Sequence, residues 1–383
     1  DPPIMYIKRQ IHDQISNSLF KGKVLIIYGA RQVGKTTLIK KVAEEIGDFS
    51  YYNCDEPDIA AALTNKTSSE LINYLGPKRL IVIDEAQRVK NIGLTLKLLI
   101  DQYPTRQIIA TGSSSFDLAN KINEPLTGRK RIFHLHPLSM AELAAAESEF
   151  EANRLLENRL IFGLYPEVVF PKDDSEKTLR EIAGSYLYKD ILQQEEVRNQ
   201  DVILDLLRAL ALQIGGEVSY NELGKLLQID KKTVVRYLGL LEKTFVIFRI
   251  KPWHRNKRTE ISKLRKIYFY DNGIRNALIN NLNSLKLRND TGALWENFMM
   301  SEILKAKSNQ GEESDIHFWR TYSKQEIDYF EEKNSQITAL EFKWTKNRKA
   351  KAPTAFTRLY PQAKFTVIDR ENYWSAIKAT TAA

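Results

Sequence analysis

The chain has 383 residues, 43% of them hydrophobic, and a formal net charge of +9. That length implies two or three domains, and the apolar fraction is enough for packed cores, which excludes a disordered or fibrous chain. A single cysteine, Cys54, excludes an intramolecular disulfide, and no apolar run nears the roughly 18 residues of a membrane helix. The N-terminus shows no signal-peptide pattern, so a cytoplasmic protein without a membrane partner is expected. The basic balance favours a polyanionic partner, although nucleotide binding alone would account for part of it.

In chain order, the first clear element is Val24-Leu25-Ile26-Ile27-Tyr28, which reads as a buried strand. Gly29-Ala30-Arg31-Gln32-Val33-Gly34-Lys35-Thr36 follows and fits G-x-x-x-x-G-K-[ST], with a helical pattern from Thr37 to Ala43 behind it. Strand, glycine-rich turn and helix are the setting of a phosphate-binding loop. Its backbone amides and the helix N-terminus would wrap the phosphates of ATP, with Thr37 at the helix start completing the nucleotide-binding set. Lys35 would reach the β- and γ-phosphates, and the Thr36 hydroxyl would ligate Mg²⁺.

Further strands are expected over Ser50 to Cys54, Leu80 to Asp84, Gln107 to Thr111 and Arg131 to Leu138, separated mostly by helical patterns. Such alternation predicts a parallel sheet with helices on both faces. Leu80-Ile81-Val82-Ile83-Asp84-Glu85 puts two acids at the carboxyl end of a buried strand, where ligands bind in open α/β sheets. Asp84 would hold Mg²⁺, and Glu85 would orient and deprotonate the attacking water. In Thr111-Gly112-Ser113-Ser114, Thr111 and Ser113 are either sensors of the γ-phosphate or hydroxyls capping a turn. Arg129 is either an arginine finger, acting within the chain or on a neighbouring subunit, or a surface residue of a basic run with Lys130 and Arg131.

These segments, with Leu126 to Arg129 and His136-Pro137-Leu138-Ser139, resemble the AAA-type ATPases of bacteria and archaea. The chain is similar, more closely, to a prokaryotic family in which such an ATPase is joined to a C-terminal domain of unknown function. That resemblance runs on through Tyr165-Pro166-Glu167, Tyr186-Leu187-Tyr188-Lys189-Asp190-Ile191 and Asp271-Asn272-Gly273-Ile274-Arg275. It implies a P-loop ATPase fold and leaves the biological role open.

From Ser139 to Phe162 an alanine- and glutamate-rich helical pattern reads as a small lid, and Ser175 to Glu195 as a further helix. A helix containing Asp201 to Arg208 breaks at Gly215-Gly216. Ser219 with Glu222 forms a capping box on a short helix ending near Leu227, and Asp230 caps a second helix over Lys231 to Leu241. Two short helices joined by a tight turn read as a helix-turn-helix, with Lys231, Lys232 and Arg236 placed to meet DNA. Strands at Thr244 to Lys251 and Lys266 to Tyr270 flank a basic loop holding Trp253, His254, Arg255, Lys257, Arg258, Lys263 and Arg265. A hairpin there would be the wing, tracking phosphates through Arg255 to Arg265. The alternative is a helix pair that packs on the ATPase and whose lysines only solubilise it.

Toward the C-terminus, Leu294 to Ile303 reads as an amphipathic helix. Strand-like segments follow at Phe318 to Thr321, Glu326 to Phe330 and Ala339 to Lys343. Residues two apart on a strand share a face, so Glu341 and Lys343 point together while Leu340 and Phe342 point inward. With Asp328 and the helical Glu296, three acids would converge to bind Mg²⁺, and Lys343 would steady charge on a phosphate. These four residues resemble the PD-(D/E)XK nuclease fold, although Ile327 stands where that motif carries proline. Trp319 and Trp344 flank the site, and core packing is expected for both.

The sequence therefore predicts an α/β chain with four parts. These are an ATPase core over 1–140, a helical lid and connector over 141–198, a winged helix-turn-helix over 199–275 and a nuclease-like domain over 276–383. The expected function is Mg²⁺-dependent ATP hydrolysis coupled to action on or remodelling of DNA, in a homo-oligomer, with the nuclease-like domain either a metal-dependent nuclease or a scaffold without chemistry. The alternative is a nucleotide-controlled switch whose inactive nuclease-like domain binds a protein partner.

Overall fold

The computed structural model describes residues 6–113, 126–171, 174–186, 191, 199–253, 265–312, 315–321, 323, 325–346 and 351–381. They fall into two compact units, Asp1–Leu138 with Lys243–Phe245, and Ser139–Glu242 with Val246–Ala383.

The first unit is built on five strands, β1 (Val24–Tyr28), β2 (Phe49–Asn53), β3 (Leu80–Asp84), β4 (Gln107–Gly112) and β5 (Lys130–His134). All pair in parallel, in the order β2-β3-β4-β1-β5. β1 and β3 are buried along their whole length, as uninterrupted apolar runs require when both faces of a parallel sheet are covered. The parallel α/β core thus matches its sequence expectation. β5 ends four residues before the expected Leu138. Leu135 still donates to the Tyr28 carbonyl at 2.7 Å, but Pro137 then offers no amide to a ladder.

The second unit opens with three short helices, Met140–Ala146, Glu149–Arg154 and Leu156–Phe162, where the lid was expected. Ser139 and Glu142 cap the first of them reciprocally. After Gln200–Leu212 come Tyr220–Leu227 and Lys231–Lys243, turned by Gln228 in the left-handed region and capped by Asp230, which accepts from Thr233 N at 2.9 Å. A hairpin follows, β7 (Ile247–Pro252) with β8 (Arg265–Phe269), and the short β6 (Glu217–Val218) pairs with β8.

This hairpin does not close a separate module. β7 pairs in parallel with β9 (His317–Arg320), which continues into β10 (Glu326–Lys333), β11 (Gln336–Phe342) and β12 (Lys364–Ile368). The result is one seven-stranded sheet, β12-β11-β10-β9-β7-β8-β6, crossing the boundary expected at 275/276. Trp253, expected in the wing loop, is the seam. Its amide donates to Phe318 O at 2.7 Å, its indole donates to Tyr360 OH at 3.0 Å, and its ring lies 4.7 Å from that of Phe330. The half-buried indole packs beside β9 and β10 and helps hold the hairpin to the larger sheet. Trp319 packs with Ile327, Phe330, Ala339 and Phe356 in the core of this end.

Candidate functional site

The P-loop leaves β1 at Tyr28, and Gly34, at φ +95°, turns it into the helix Lys35–Ile46. A Cβ on Gly29 would stand 2.2 Å from the Leu135 carbonyl oxygen, so that position admits no side chain. Lys35 folds back and donates to the carbonyls of Gly29 and Ala30, both at 2.9 Å. Ala30, Arg31, Gln32 and Val33 form the loop between them, and Gln32 is held at φ +62°. Thr36 and Thr37 lie in the first turn of the helix.

At the carboxyl end of β3, Asp84 is buried and gathers three hydroxyls. Thr36 donates to Oδ2 at 2.7 Å, Tyr51 donates to Oδ2 at 2.5 Å, and Thr111 donates to Oδ1. Burial, then the Asp84 carboxylate, raises the Tyr51 phenol, which stays a donor. Glu85 sits at φ +52°, its amide donating to Thr111 Oγ1 at 3.1 Å. Gln87 bridges Glu85 at 2.5 Å and Ser113 Oγ at 3.1 Å. The structure thus brings Lys35, Thr36, Asp84, Glu85, Thr111 and Ser113 to one end of the sheet, while Ser114 lies outside the described residues. The oxygens of Thr36 and Asp84 are of the hard type that suits Mg²⁺.

Arg129 lies elsewhere. Its carbonyl accepts from Val24 N, at the amino end of β1, and its guanidinium meets Asp101 at 2.5 Å. The five residues of β1 then separate it from the P-loop by about 16 Å. A finger acting on the nucleotide of its own chain is therefore corrected, because side chain and phosphates sit at opposite ends of the sheet.

Sequence reasoning missed Arg9, Tyr51 and Gln87. Arg9 is buried and donates to Val33 O and His136 O, both at 2.7 Å, bracing the P-loop against the segment after β5. Nothing in a residue 24 positions before its partner marks it as part of the loop.

In the second unit, Lys231 and Lys232 are exposed at the start of their helix, and Arg236 lies over the Tyr237 ring at 5.2 Å. Of the basic loop, Arg265 opens β8, whereas His254, Arg255, Lys257, Arg258 and Lys263 lie outside the described residues.

The helix Thr291–Asn309 carries Glu296 and is stapled to β8 by Asn297, which accepts from Phe269 N at 2.7 Å and donates to Phe269 O at 3.0 Å. Asp328 sits where the β9–β10 register shifts, and such irregularities re-aim side chains. Its Oδ2 accepts from Phe342 N at 2.9 Å. Glu296 and Asp328 do come together, but around Lys266, which no sequence signal had singled out. Lys266 Nζ stands 2.8 Å from Glu296, 3.2 Å from Asp328 and 2.5 Å from Glu326. Tyr268 donates to the same Glu296 oxygen at 2.6 Å. Burial, then repulsion from Asp328, pushes the Glu296 carboxyl up to about 7, against the pull of Lys266. Burial disfavours the Lys266 ammonium, but Tyr268, Glu296, Asp328 and Glu326 outweigh it and hold the amine protonated. Glu341 pairs with Lys343 at 2.7 Å. Glu341 faces the same cluster, since burial and then Asp328 raise its carboxyl while Lys343 and Lys266 pull it down. Among the described residues no group of three acids, histidines or cysteines is disposed to hold a metal ion.

Three family models match the chain. Residues 21–144 match an AAA domain, 153–285 a domain of unknown function (DUF8612) and 291–378 another (DUF4143). An uncharacterized protein of Mycobacterium tuberculosis is 26% identical over 343 residues, covering 88% of this chain and 74% of the relative. One of Methanocaldococcus jannaschii is 26% identical over 316 residues, covering 76% and 69%. Among solved structures, the Walker-type ATPase of Pyrococcus abyssi aligns over 71% of this chain and 96% of its own, at 17% identity and a TM-score of 0.49. AMPPCP-bound DnaA of Aquifex aeolicus aligns over 63% and 92%, at 16% identity and a TM-score of 0.30. No helix among the described residues is long and apolar enough to cross a membrane. The loop motif, the parallel sheet and the family match agree that residues 21–144 form an AAA-type P-loop ATPase domain, on a chain that ends in a domain of unknown function.

Proposed function

We propose that this chain binds ATP with Mg²⁺, hydrolyses it and engages DNA. The observation that carries the reading is the meeting of Thr36, Thr111 and Asp84 beside the P-loop. Lys35 would exchange its two loop carbonyls for the β- and γ-phosphate oxygens. Thr36 and Asp84 would hold Mg²⁺, which when bound neutralises charge on the phosphates. Glu85, oriented by Gln87, would take the proton of the attacking water, and Thr111 and Ser113 would feel the γ-phosphate.

The DNA half is supported by the helix pair and hairpin, read as a winged helix, with Lys231, Lys232 and Arg236 early in the second helix. Arg129 would serve a nucleotide only in a neighbouring copy, which implies a homo-oligomer.

The test measures ATP turnover for wild type, Lys35→Ala and Asp84→Asn, and DNA affinity across salt for a Lys231→Ala/Lys232→Ala/Arg236→Ala variant. Turnover should vanish in the first two variants, and the triple variant should lose affinity with a shallower salt slope. A wild type without turnover sinks the ATPase half, and an unchanged salt slope sinks the DNA half.

A second reading is favoured by Lys266 among the acids: a nucleotide-controlled switch whose nuclease-like domain holds a protein partner and cuts nothing. Nucleotide-dependent DNA affinity without cleavage of linear, plasmid or branched DNA would select it.

A further inference from the structure

The acid cluster of the second unit already contains a cation. Lys266 is 1% exposed, and its ammonium faces three carboxylates from two segments, Glu296 on the helix and Glu326 and Asp328 on β10. The Phe318 ring lies beneath it at 5.6 Å. The ammonium donates to Glu296 and to Asp328 and is ion-paired with Glu326 as well. The other oxygen of Asp328 is committed to the Phe342 amide, and Glu296 also accepts from Tyr268. A divalent ion would need oxygens at about 2.0–2.2 Å around the point that the ammonium fills. Metal and ammonium cannot share that point, and withdrawing the lysine would leave its charge buried without partners. The residues present therefore do not fit the metal that a nuclease-like fold implies.

We infer that Lys266 is the resident cation of this cluster, in place of a divalent metal, and that the C-terminal domain is not a metal-dependent nuclease. The lysine comes from β8, within the region matched as 153–285, and its acid partners come from the region matched as 291–378. The cluster is then an ionic clasp between two segments of one sheet. The inference does not rest on the ATPase reading, which ATP turnover scores separately.

The test is Mn²⁺ binding by the full chain, followed by electron paramagnetic resonance without nucleotide. The Asp84→Asn background removes the carboxylate of the ATP site. This protein should hold no Mn²⁺ at the cluster, and adding Lys266→Met should create one bound Mn²⁺ per chain, lost again with Asp328→Asn. One Mn²⁺ per chain in the Asp84→Asn protein, abolished by Asp328→Asn, would overturn the inference. So would Mn²⁺-dependent DNA cleavage by the wild type that Asp328→Asn abolishes. Both of those outcomes are read with Lys266 in place, so they decide the matter even if Lys266→Met does not fold.

Discussion

Replacing Gly29 with alanine should disable the nucleotide site while leaving the rest of the chain folded. The new Cβ would lie 2.2 Å from the Leu135 carbonyl oxygen and 3.1 Å from Val33 Cγ2. Ordinary contact begins at 3.4 Å, so backbone must part by about 1.2 Å. Leu135 cannot easily retreat, because its amide is held by the Tyr28 carbonyl at 2.7 Å. The P-loop must give way instead, and it is the P-loop that aims amides at phosphate. Overpacking of this kind costs about 1–3 kcal/mol. At about 1.4 kcal/mol per decade, ATP affinity should fall between about fivefold and about 140-fold. Titration with a fluorescent ATP analogue reads the affinity, and thermal melting reads the fold. Gly292→Ala, with open space around its Cβ in a helix, is the control and should leave affinity unchanged. Wild-type affinity in Gly29→Ala would refute the reasoning.

Other perturbations test other parts of the molecule. Thr111→Val removes a donor to Asp84 and one of the two acceptors of the Glu85 amide, so ATP turnover should drop by tenfold or more while ATP binding changes little, a split that steady-state kinetics would show. Burial opposes it, but Arg288 and Arg275 hold the Asp290 carboxyl down to about 2. Its contribution to stability is therefore present above the ordinary aspartate range and lost as pH falls from near 4 through about 2. Asp290→Asn should cost about 1–2 kcal/mol at neutral pH, after allowance for solvent screening, and almost nothing near pH 2, as urea melts at the two pH values would reveal. Phe356, buried between Trp319 at 5.2 Å and Tyr360 at 5.3 Å, should cost about 3–5 kcal/mol on truncation to alanine, read as a lowered urea midpoint.

The first unit was legible because its signals are local. An eight-residue motif, an apolar run ending in Asp84-Glu85 and regular alternation of elements place the P-loop and the sheet without knowledge of any distant contact. The residues that finish the site were not legible. Arg9, Tyr51 and Gln87 carry no motif, and each acts through a partner that only the fold brings near. In the second unit, periodicity found the helix pair, the hairpin and the helix of Glu296 but not their destination, and it missed the helices Asn272–Leu278, Thr354–Leu359 and Tyr373–Thr381. The link from β7 to β9 joins residues more than sixty positions apart through backbone pairing, which side-chain patterns do not encode. β12 escaped notice because its residues are mostly half-exposed and its alternation is weak. Lys266 was hidden for the same reason as the link, since its acids lie 30 and 62 positions away.

That continuous sheet bears on how such a chain can be cut and inherited. A fragment beginning at residue 276 would carry β9 to β12 without β7, leaving the β9 edge bare and Asp328 and Glu296 without their lysine. An open edge invites pairing with other chains, and uncompensated buried acids weaken the fold. The segments matched as 153–285 and 291–378 therefore share one sheet. Recombination between them would separate the halves of a single sheet, so the two should travel together from genome to genome whatever ATPase precedes them.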